Sequence, residues 1–315
     1  MAAGKNPLDP HVLFEHVQDA PYFHLPRSFA AEGADGHVYL PQPLAKPVAG
    51  SDHGHGPAYE PVAQLKTGVA VLDKSLLPLD LVLSKFMVIE TLVLIISVVL
   101  FGWLASQIRR GGAARGKLAN LLETFCVFIR DEVARPAIGG KDADDYLPFL
   151  WTLFFFVLGC NLFGMIPWMG SPTGSLAVTA VLALMTFVTV VGVGIVKYGF
   201  AGFLKVQVPH MDLPAPVAVL LVPMIFVIEL LGLLIKHLVL AVRLLANMMA
   251  GHIVLAVLLG FIAYAAGSVA WWGVAPASVL GATALSLLEL FVAFLQAYIF
   301  VFLSALFIGA VVHPH

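Results

Sequence analysis

The stretch E-L-L-G-L-L-I-K-H-L-V-L-A-V-R-L-L-A-N-M-M-A-G-H, Glu229 to His252, decides the fold. It is apolar enough to sit in lipid, yet it carries Glu229, Lys236, Arg243 and His252. The first three follow one another at seven-residue steps. At about 100° per residue, seven steps return to within about 20° of the start, so the three charges share one helix face. Asn247, four residues past Arg243, falls on the same face. A charged side chain at the bilayer centre costs about 2.5–3.5 kcal/mol on insertion scales. Several such groups on one stripe imply an ion path or an obligate polar partner.

The rest of the composition agrees. Hydrophobic residues make up 60% of the 315 and charged residues 11%, against roughly 25% charged in soluble domains. An all-α integral membrane protein is the class this supports. The net charge of −2 offers nothing to nucleic acid. Cys126 and Cys160 lie in apolar segments without C-x-x-C or Cys/His metal spacing, so both read as free buried thiols. No basic, apolar or Arg/Ser-rich leader opens the chain, which points to a bacterial plasma (inner) membrane.

Residues 1–79 form a polar external tail, expected to be partly disordered, with nine prolines among the first 61 positions and six histidines by His55. H-G-H-G at His53–Gly56 reads as solvated tail rather than a metal site, and Asp9–Val17 as a short helical turn. The membrane domain, 80–315, opens with a span over 86–105, and Glu90 sits one turn in, at the interface. Arg109, Arg110, Arg115 and Lys117 follow, so this end is expected to be cytoplasmic and the tail outside. An amphipathic surface helix over 117–134 carries Leu118, Leu121, Leu122, Phe125, Phe128 and Ile129 on one side. Arg135–Pro136 and Gly139–Gly140 should end it, with the acidic run Lys141–Asp145 as a solvated loop. Spans over 147–167 and 175–196 follow, joined by an uncharged turn. Asn161 reads as a helix-packing polar group and Pro167 as a helix stop.

The last two segments, 217–264 and 273–312, are too long for ordinary spans. Forty-eight residues make roughly 72 Å of helix, whereas the hydrocarbon core is about 30 Å thick. Either a break hides at Pro223, Gly232, Gly251 or Gly260, or the helices are steeply tilted. Their shared length suggests a tilted antiparallel hairpin, with Trp271 and Trp272 at the outer interface. The inferred cytoplasmic loops hold nine of the 17 Lys and Arg, which leaves the C-terminus cytoplasmic. The architecture is therefore about five membrane helices plus one amphipathic surface helix.

In the last segment Glu289 and Gln296 are again seven residues apart. Two antiparallel helices with such stripes would gather Arg243, Asn247, His252, Glu289 and Gln296. By the inferred topology Glu229 lies toward the cytoplasm, His252 and Glu289 toward the exterior, and Arg243 between. Titratable groups on both sides of one arginine describe two half-channels with a barrier. Arginine suits the barrier because its pKa, above about 12, keeps it charged in apolar surroundings.

Several motifs carry a resemblance, among them S-L-A-V-T-A-V-L-A-L (Ser175–Leu184). A-V-R-L-L-A-N-M-M-A-G-H (Ala241–His252) is similar to the R-L-x-x-N-x-x-A-G-[HE] signature of the subunit a family of F-type ATP synthases. L-E-L-F-V-A-F-L-Q-A-Y-I-F (Leu288–Phe300) resembles that family's E-x-x-V-A-x-x-Q-A-Y-[IV]-F almost residue for residue. N-L-F-G-M-I-P (Asn161–Pro167) resembles its N-L-x-x-x-x-P. The resemblance covers about 118–312 and selects the slanted hairpin, curved against a ring of c subunits. It implies a stator subunit without cofactor. Its partners would be the c-ring, the b subunits of the peripheral stalk, the remaining ATP synthase subunits, the lipid bilayer and protons. It also implies that Arg243 holds each ring carboxylate ionised, that His252 and Glu289 exchange its proton with the outside, and that Glu229 does so inside. Asn247 and Gln296 would orient water and Arg243.

Glu229 and Lys236 read equally well as an intrahelical pair. His237 stands where many family members have proline, which removes a kink or adds a titratable group near the inner channel. The chain has no G-x-x-x-x-G-K-[ST] loop, so no nucleotide site is expected in it. A proton-coupled secondary transporter is the alternative, and it predicts repeated halves with broken helices. A purely structural assembly protein is the other rival.

Overall fold

The computed structural model describes residues 19–24, 37–42, 45–47, 59–61, 83–109, 116–166, 169–206 and 215–313. Five helices are long and apolar enough to cross a membrane: α1 (Lys85–Arg109), α4 (Asp142–Gly164), α5 (Leu176–Val206), α6 (Ala215–Tyr264) and α7 (Trp271–Val312). Between α1 and α4 lies a rod made of α2 (Lys117–Phe128), a π-helical stretch (Ile129–Ala134) and α3 (Arg135–Ile138). A 3-10 turn, Pro172–Gly174, links α4 to α5.

Helix α6 runs unbroken for 50 residues and α7 for 42, about 75 and 63 Å at the usual rise. None of the candidate breaks is used. The two pair as an antiparallel hairpin around a short turn in which Gly267 takes φ 88°. That left-handed value is open to glycine at little cost. Helix α7 sits at the centre, with Phe300, Val301, Ala305 and Ile308 fully buried among Leu150 and Val157 of α4 and Leu240 and Leu244 of α6. A smaller cluster of Phe86, Ile89, Val93 and Cys160 seats α1 on α4. Outward-facing Val181, Leu184 and Val188 of α5, and Ile228, Leu231 and Ile235 of α6, leave continuous apolar strips exposed, as lipid or another apolar surface requires.

Several boundaries differ from the sequence reading. Helix α1 starts at Lys85 and extends to Arg109, past the expected 86–105. Lys141–Asp145 is not a loop: α4 starts at Asp142, and Asp142, Asp144 and Asp145 occupy its first turn. Carboxylates are favourable there because they face the exposed N–H groups and the positive end of the helix dipole. Arg135–Pro136 does not end the surface rod, since proline is tolerated in a first helical turn. Gly139, at φ 104°, ends it. The π-helical stretch inserts one residue per turn and rotates the buried stripe to Ile129, Val133 and Ala134. Leu118, Leu121 and Phe128, on the apolar side read for this surface helix, are exposed. Helix α5 continues beyond 196 to Val206 through a break at Gly199 (φ 71°, ψ 166°), which returns Phe203 onto Gly194. Helix α6 starts at Ala215 rather than 217, and α7 at Trp271 rather than 273, so both tryptophans lie in its first turn.

The tail contains order that its composition did not suggest. Tyr22–His24 (β1) pairs antiparallel with His37–Tyr39 (β2), and Ala45–Pro47 (β3) with Tyr59–Pro61 (β4). The tail is tied to α1: Lys85 N donates to Ala20 O at 2.9 Å, and Leu83 N to Gln42 Oε1 at 2.8 Å. Asp9–Val17, His53–Gly56, Arg110, Arg115, Pro167 and the end of the 175–217 connection around Val208 lie outside the described residues.

Candidate functional site

Two side-chain contacts set the register of α6 against α7. Asn247 Nδ2 donates to Gln296 Oε1 at 2.8 Å, and His252 Nδ1 lies 3.1 Å from Glu289 Oε1. Residue numbers across each pair sum to nearly the same value (247 + 296 and 252 + 289), as antiparallel helices in steady register require. Asn247, on the stripe of Arg243, therefore faces Gln296, while His252, nine residues past Arg243, reaches Glu289 from off that stripe.

His252 is the best-anchored of these groups. Its Nδ1 lies 2.8 Å from Met248 O, and its Nε2 lies 2.8 Å from Gly164 O at the end of α4. Both partners are carbonyl oxygens, which only accept. Both bonds therefore form together only when both ring nitrogens carry a proton, that is, with the imidazolium. Glu289, 6% exposed, supplies the counter-charge beside it. The 3.1 Å separation is an ion-pair distance, but Glu289 Oε1 receives no well-directed hydrogen bond. Nδ1 lies nearer Met248 O, at 2.8 Å, than Glu289 Oε1. A Cβ on Gly251 would sit 2.7 Å from Glu289 Oε1. Only a glycine lets the carboxylate come this close to α6.

A buried polar string backs the pair. Asn161 Nδ2 donates to Ala293 O at 3.1 Å, and Thr173 Oγ1 donates to Asn161 Oδ1 at 2.7 Å. Ser171 Oγ lies 2.8 Å from Thr173 Oγ1, and Ser171 packs on Gly164, whose carbonyl holds His252. Asn161, Ser171 and Thr173 are fully buried and satisfied among themselves, the arrangement that makes buried polar groups tolerable. Asn161 was legible as a packing group. Ser171 and Thr173 were not, since an uncharged S-P-T-G turn carries no chemical signal.

Arg243, half-buried and one turn from Asn247, has neither a hydrogen bond nor an ion pair among the described residues. Gln296 Nε2 is buried and also unpartnered. Glu229 and Lys236 form a long ion pair, Nζ to Oε1 3.8 Å, on a largely exposed face. Glu229 lies about 21 Å along the helix from Arg243, on the opposite side from His252. His237 is turned away from this face. It is 3% exposed, packed between Phe187 of α5 and Phe307 of α7 at ring-centroid distances of 5.3 and 4.8 Å. Its Nδ1 bonds Leu233 O at 2.8 Å and its Nε2 is unpartnered, which fits one neutral tautomer. The structure thus joins Asn247 to Gln296 and His252 to Glu289. Arg243 stands beside the first pair, and Glu229, Lys236 and His237 stand apart.

A family model described as the ATP synthase A chain matches residues 86–309. The ATP synthase subunit a of Myxococcus xanthus is 46% identical over 241 residues, covering 75% of this chain and 76% of its own. That of an Anaeromyxobacter species is 36% identical over 312 residues, covering 96% of this chain and 71% of its own. That of Maricaulis maris is 36% identical over 244 residues, 73% and 88% respectively. The match spans every helix of the membrane domain and both faces of the α6–α7 stripe, and the chain belongs to the ATP synthase A chain family.

Proposed function

We propose that the chain conducts protons beside a rotating ring of c subunits, as the non-catalytic stator of an F-type ATP synthase. What carries the reading is Arg243: a half-buried guanidinium within a membrane-length helix that has no partner among the described residues. An unpaired charge in an apolar setting costs several kcal/mol. A carboxylate brought by a neighbouring chain would remove that cost and be held ionised in return.

Protons would enter and leave that carboxylate from two sides. On the His252 side, the imidazolium beside Glu289 is a loaded proton carrier, with a carboxylate next to it to take or return the proton. On the other side, Glu229 is the nearest acid, about four turns of helix away from Arg243. Between them the fixed cation repels a migrating proton, so passage requires the ring carboxylate to move. Gln296, anchored through Asn247, offers a free buried amide N–H₂ toward the same region. The basic residues clustered at the rod end support a cytoplasmic location for that end and an exterior one for His252, with the C-terminus inside. Nucleotide chemistry would lie in other subunits, and the b subunits of the peripheral stalk would hold the chain. Family membership sets the secondary-transporter alternative aside.

The test is Arg243→Ala in the assembled complex. ATP-driven acidification of inverted vesicles should be abolished while the subunit is retained in the membrane complex. Pumping at the parent rate would refute the reading.

A further inference from the structure

The side of α6 that packs into the membrane domain carries a regular stripe. Leu233, His237, Leu240, Leu244 and Met248, at steps of three or four residues, are all buried. Such spacing keeps one helix face turned to its neighbours. Every member of this stripe except His237 is apolar. The His237 ring, 3% exposed, fills a slot between Phe187 of α5 and Phe307 of α7. Its Nδ1 lies 2.8 Å from Leu233 O, a carbonyl that only accepts, so Nδ1 carries the proton. Nε2 is then an acceptor, buried and without a partner.

The slot suits the neutral ring alone. Protonation would add an N–H at Nε2 where nothing accepts it and a charge where nothing compensates it. The charged and titratable groups of the elements packed on the ring are few. On α5 they are Lys197, Tyr198 and Lys205, each ten or more residues from Phe187. On α7 they are Tyr298, nine residues from Phe307, and Glu289, which stands beside His252 about 27 Å along the helix. On α6 itself Lys236 adjoins His237, and the nearest acid, Glu229, pairs with Lys236 on the exposed face. No carboxylate meets the ring among the described residues. A ring that gains a proton is therefore driven out of the slot, and an imidazole is the side chain whose charge changes in the physiological pH range.

We propose that His237 is an acid-responsive wedge, seated between α5 and α7 when neutral and expelled when protonated, which slows the proton path as the cytoplasmic side turns acidic. The proposal rests on the reading of the chain as a proton path. His237 lies six residues before Arg243, about 9 Å along α6 on the Glu229 side. While the ring is seated, its contacts to Phe187 and Phe307 hold α6 against both neighbours, and with it the turn that presents Arg243. Once the ring leaves, α6 is free to shift against α5 and α7, and the guanidinium shifts with it. A leucine or phenylalanine would fill the same slot without any response to acid.

The experiment uses the whole ATP synthase in inverted vesicles, with the lumen buffered and the bath stepped from about pH 8 to about pH 5.5, across the range in which imidazoles titrate. ATP-driven proton pumping is compared between the parent and His237→Phe, which fills the slot and cannot titrate. The ratio of variant to parent rate should be near one at the alkaline end and rise several-fold at the acidic end. His237→Leu, which completes the apolar stripe, should give the same rising ratio. A role confined to packing gives a ratio that does not change with pH. In a second arm, amide hydrogen exchange over Leu233–Leu240 is followed in the intact complex and corrected for the intrinsic pH dependence of exchange. It should quicken with acid in the parent and not in His237→Phe. A flat ratio for both variants, or exchange in the parent that does not quicken with acid, overturns the proposal. Arg243→Ala in the same vesicles separates the two readings. If it fails to pump while the ratio stays flat, the wedge alone is wrong. If it pumps at the parent rate, the path is wrong, and the exchange arm still decides whether acid expels the ring.

Discussion

Glu289 Oε1 lies 3.1 Å from His252 Nδ1, while the two ring nitrogens lie 2.8 Å from Met248 O and Gly164 O. With both nitrogens protonated the ring satisfies both carbonyls, and the carboxylate compensates its charge at ion-pair distance. Giving up a proton breaks one of the two carbonyl bonds, so proton transfer from this ring is coupled to a change in what holds it.

Glu289→Gln removes the counter-charge and keeps the volume. ATP-driven proton pumping should fall by about 10²-fold, the scale on which positioned acid–base groups act. His252→Gln should fall similarly, and the double variant should be little worse than either single one, because groups that act as a unit are not additive. Vesicle acidification, normalised to the amount of subunit in the complex, reads this out. Additive losses would show the two groups acting separately.

Gly251→Ala tests the close approach itself. The new Cβ would stand 2.7 Å from Glu289 Oε1 and must push the carboxylate aside. Pumping should drop at least tenfold while the complex assembles normally, since the displaced group is the tip of a side chain rather than backbone. Adding Glu289→Asp shortens the acid by one methylene and should restore part of the rate. A Gly251→Ala complex that pumps at the parent rate would mean that the spacing between the helices is not under tight constraint.

The amino-acid sequence makes the helices and the main pairing legible, for different physical reasons. Run length and apolarity locate the five long helices, because a membrane admits little else. Heptad spacing puts Arg243 on one stripe of α6 and Glu289 with Gln296 on one stripe of α7, because side chains seven apart share a face; His252, nine residues past Arg243, lies off that stripe, and its partner was not legible from spacing. What was not legible depends on backbone. Met248 O and Gly164 O hold His252, and any residue offers a carbonyl. The π-helical stretch at Ile129–Ala134 turns on where one extra residue is accommodated, and the tail's strands are three residues each, too short for a period to show. His237 misled in a different way. Its place in a charged stretch suggested the path, but its face is set by the Phe187 and Phe307 rings it packs between.

Gly309→Ala addresses the seating of the surface rod. A Cβ at this position of α7 would collide with the Ala137 carbonyl oxygen, and backbone on both sides leaves no flexible group to yield. The rod must shift away from α7 at a cost of about 1–3 kcal/mol, the range for overpacking. The solubilised complex should lose this subunit at a lower temperature than the parent, while Gly232→Ala, at a glycine with open space around it, should not change the melting. Equal melting of the Gly309→Ala and parent complexes would show that the rod is free to adjust.

Cys126 gives a pH-dependent reading of the same rod. Burial, with a smaller contribution from the nearby Glu123 carboxylate, pushes its thiol up to about 11. Both effects disfavour the thiolate, so at neutral pH the reactive form is scarce and alkylation is slow. The rate should climb steadily as pH rises toward 11 and should not level off near the ordinary thiol value of 9.0. Residue-resolved mass spectrometry of N-ethylmaleimide adducts measures this at Cys126 directly, in the native membrane complex. Glu123→Gln should shift the profile slightly to lower pH, since it removes only the smaller cause. A plateau at or below the ordinary thiol value would mean that the packing of α2 against Trp151, whose Nε1 donates to Cys126 O at 3.0 Å, does not persist in the assembled complex.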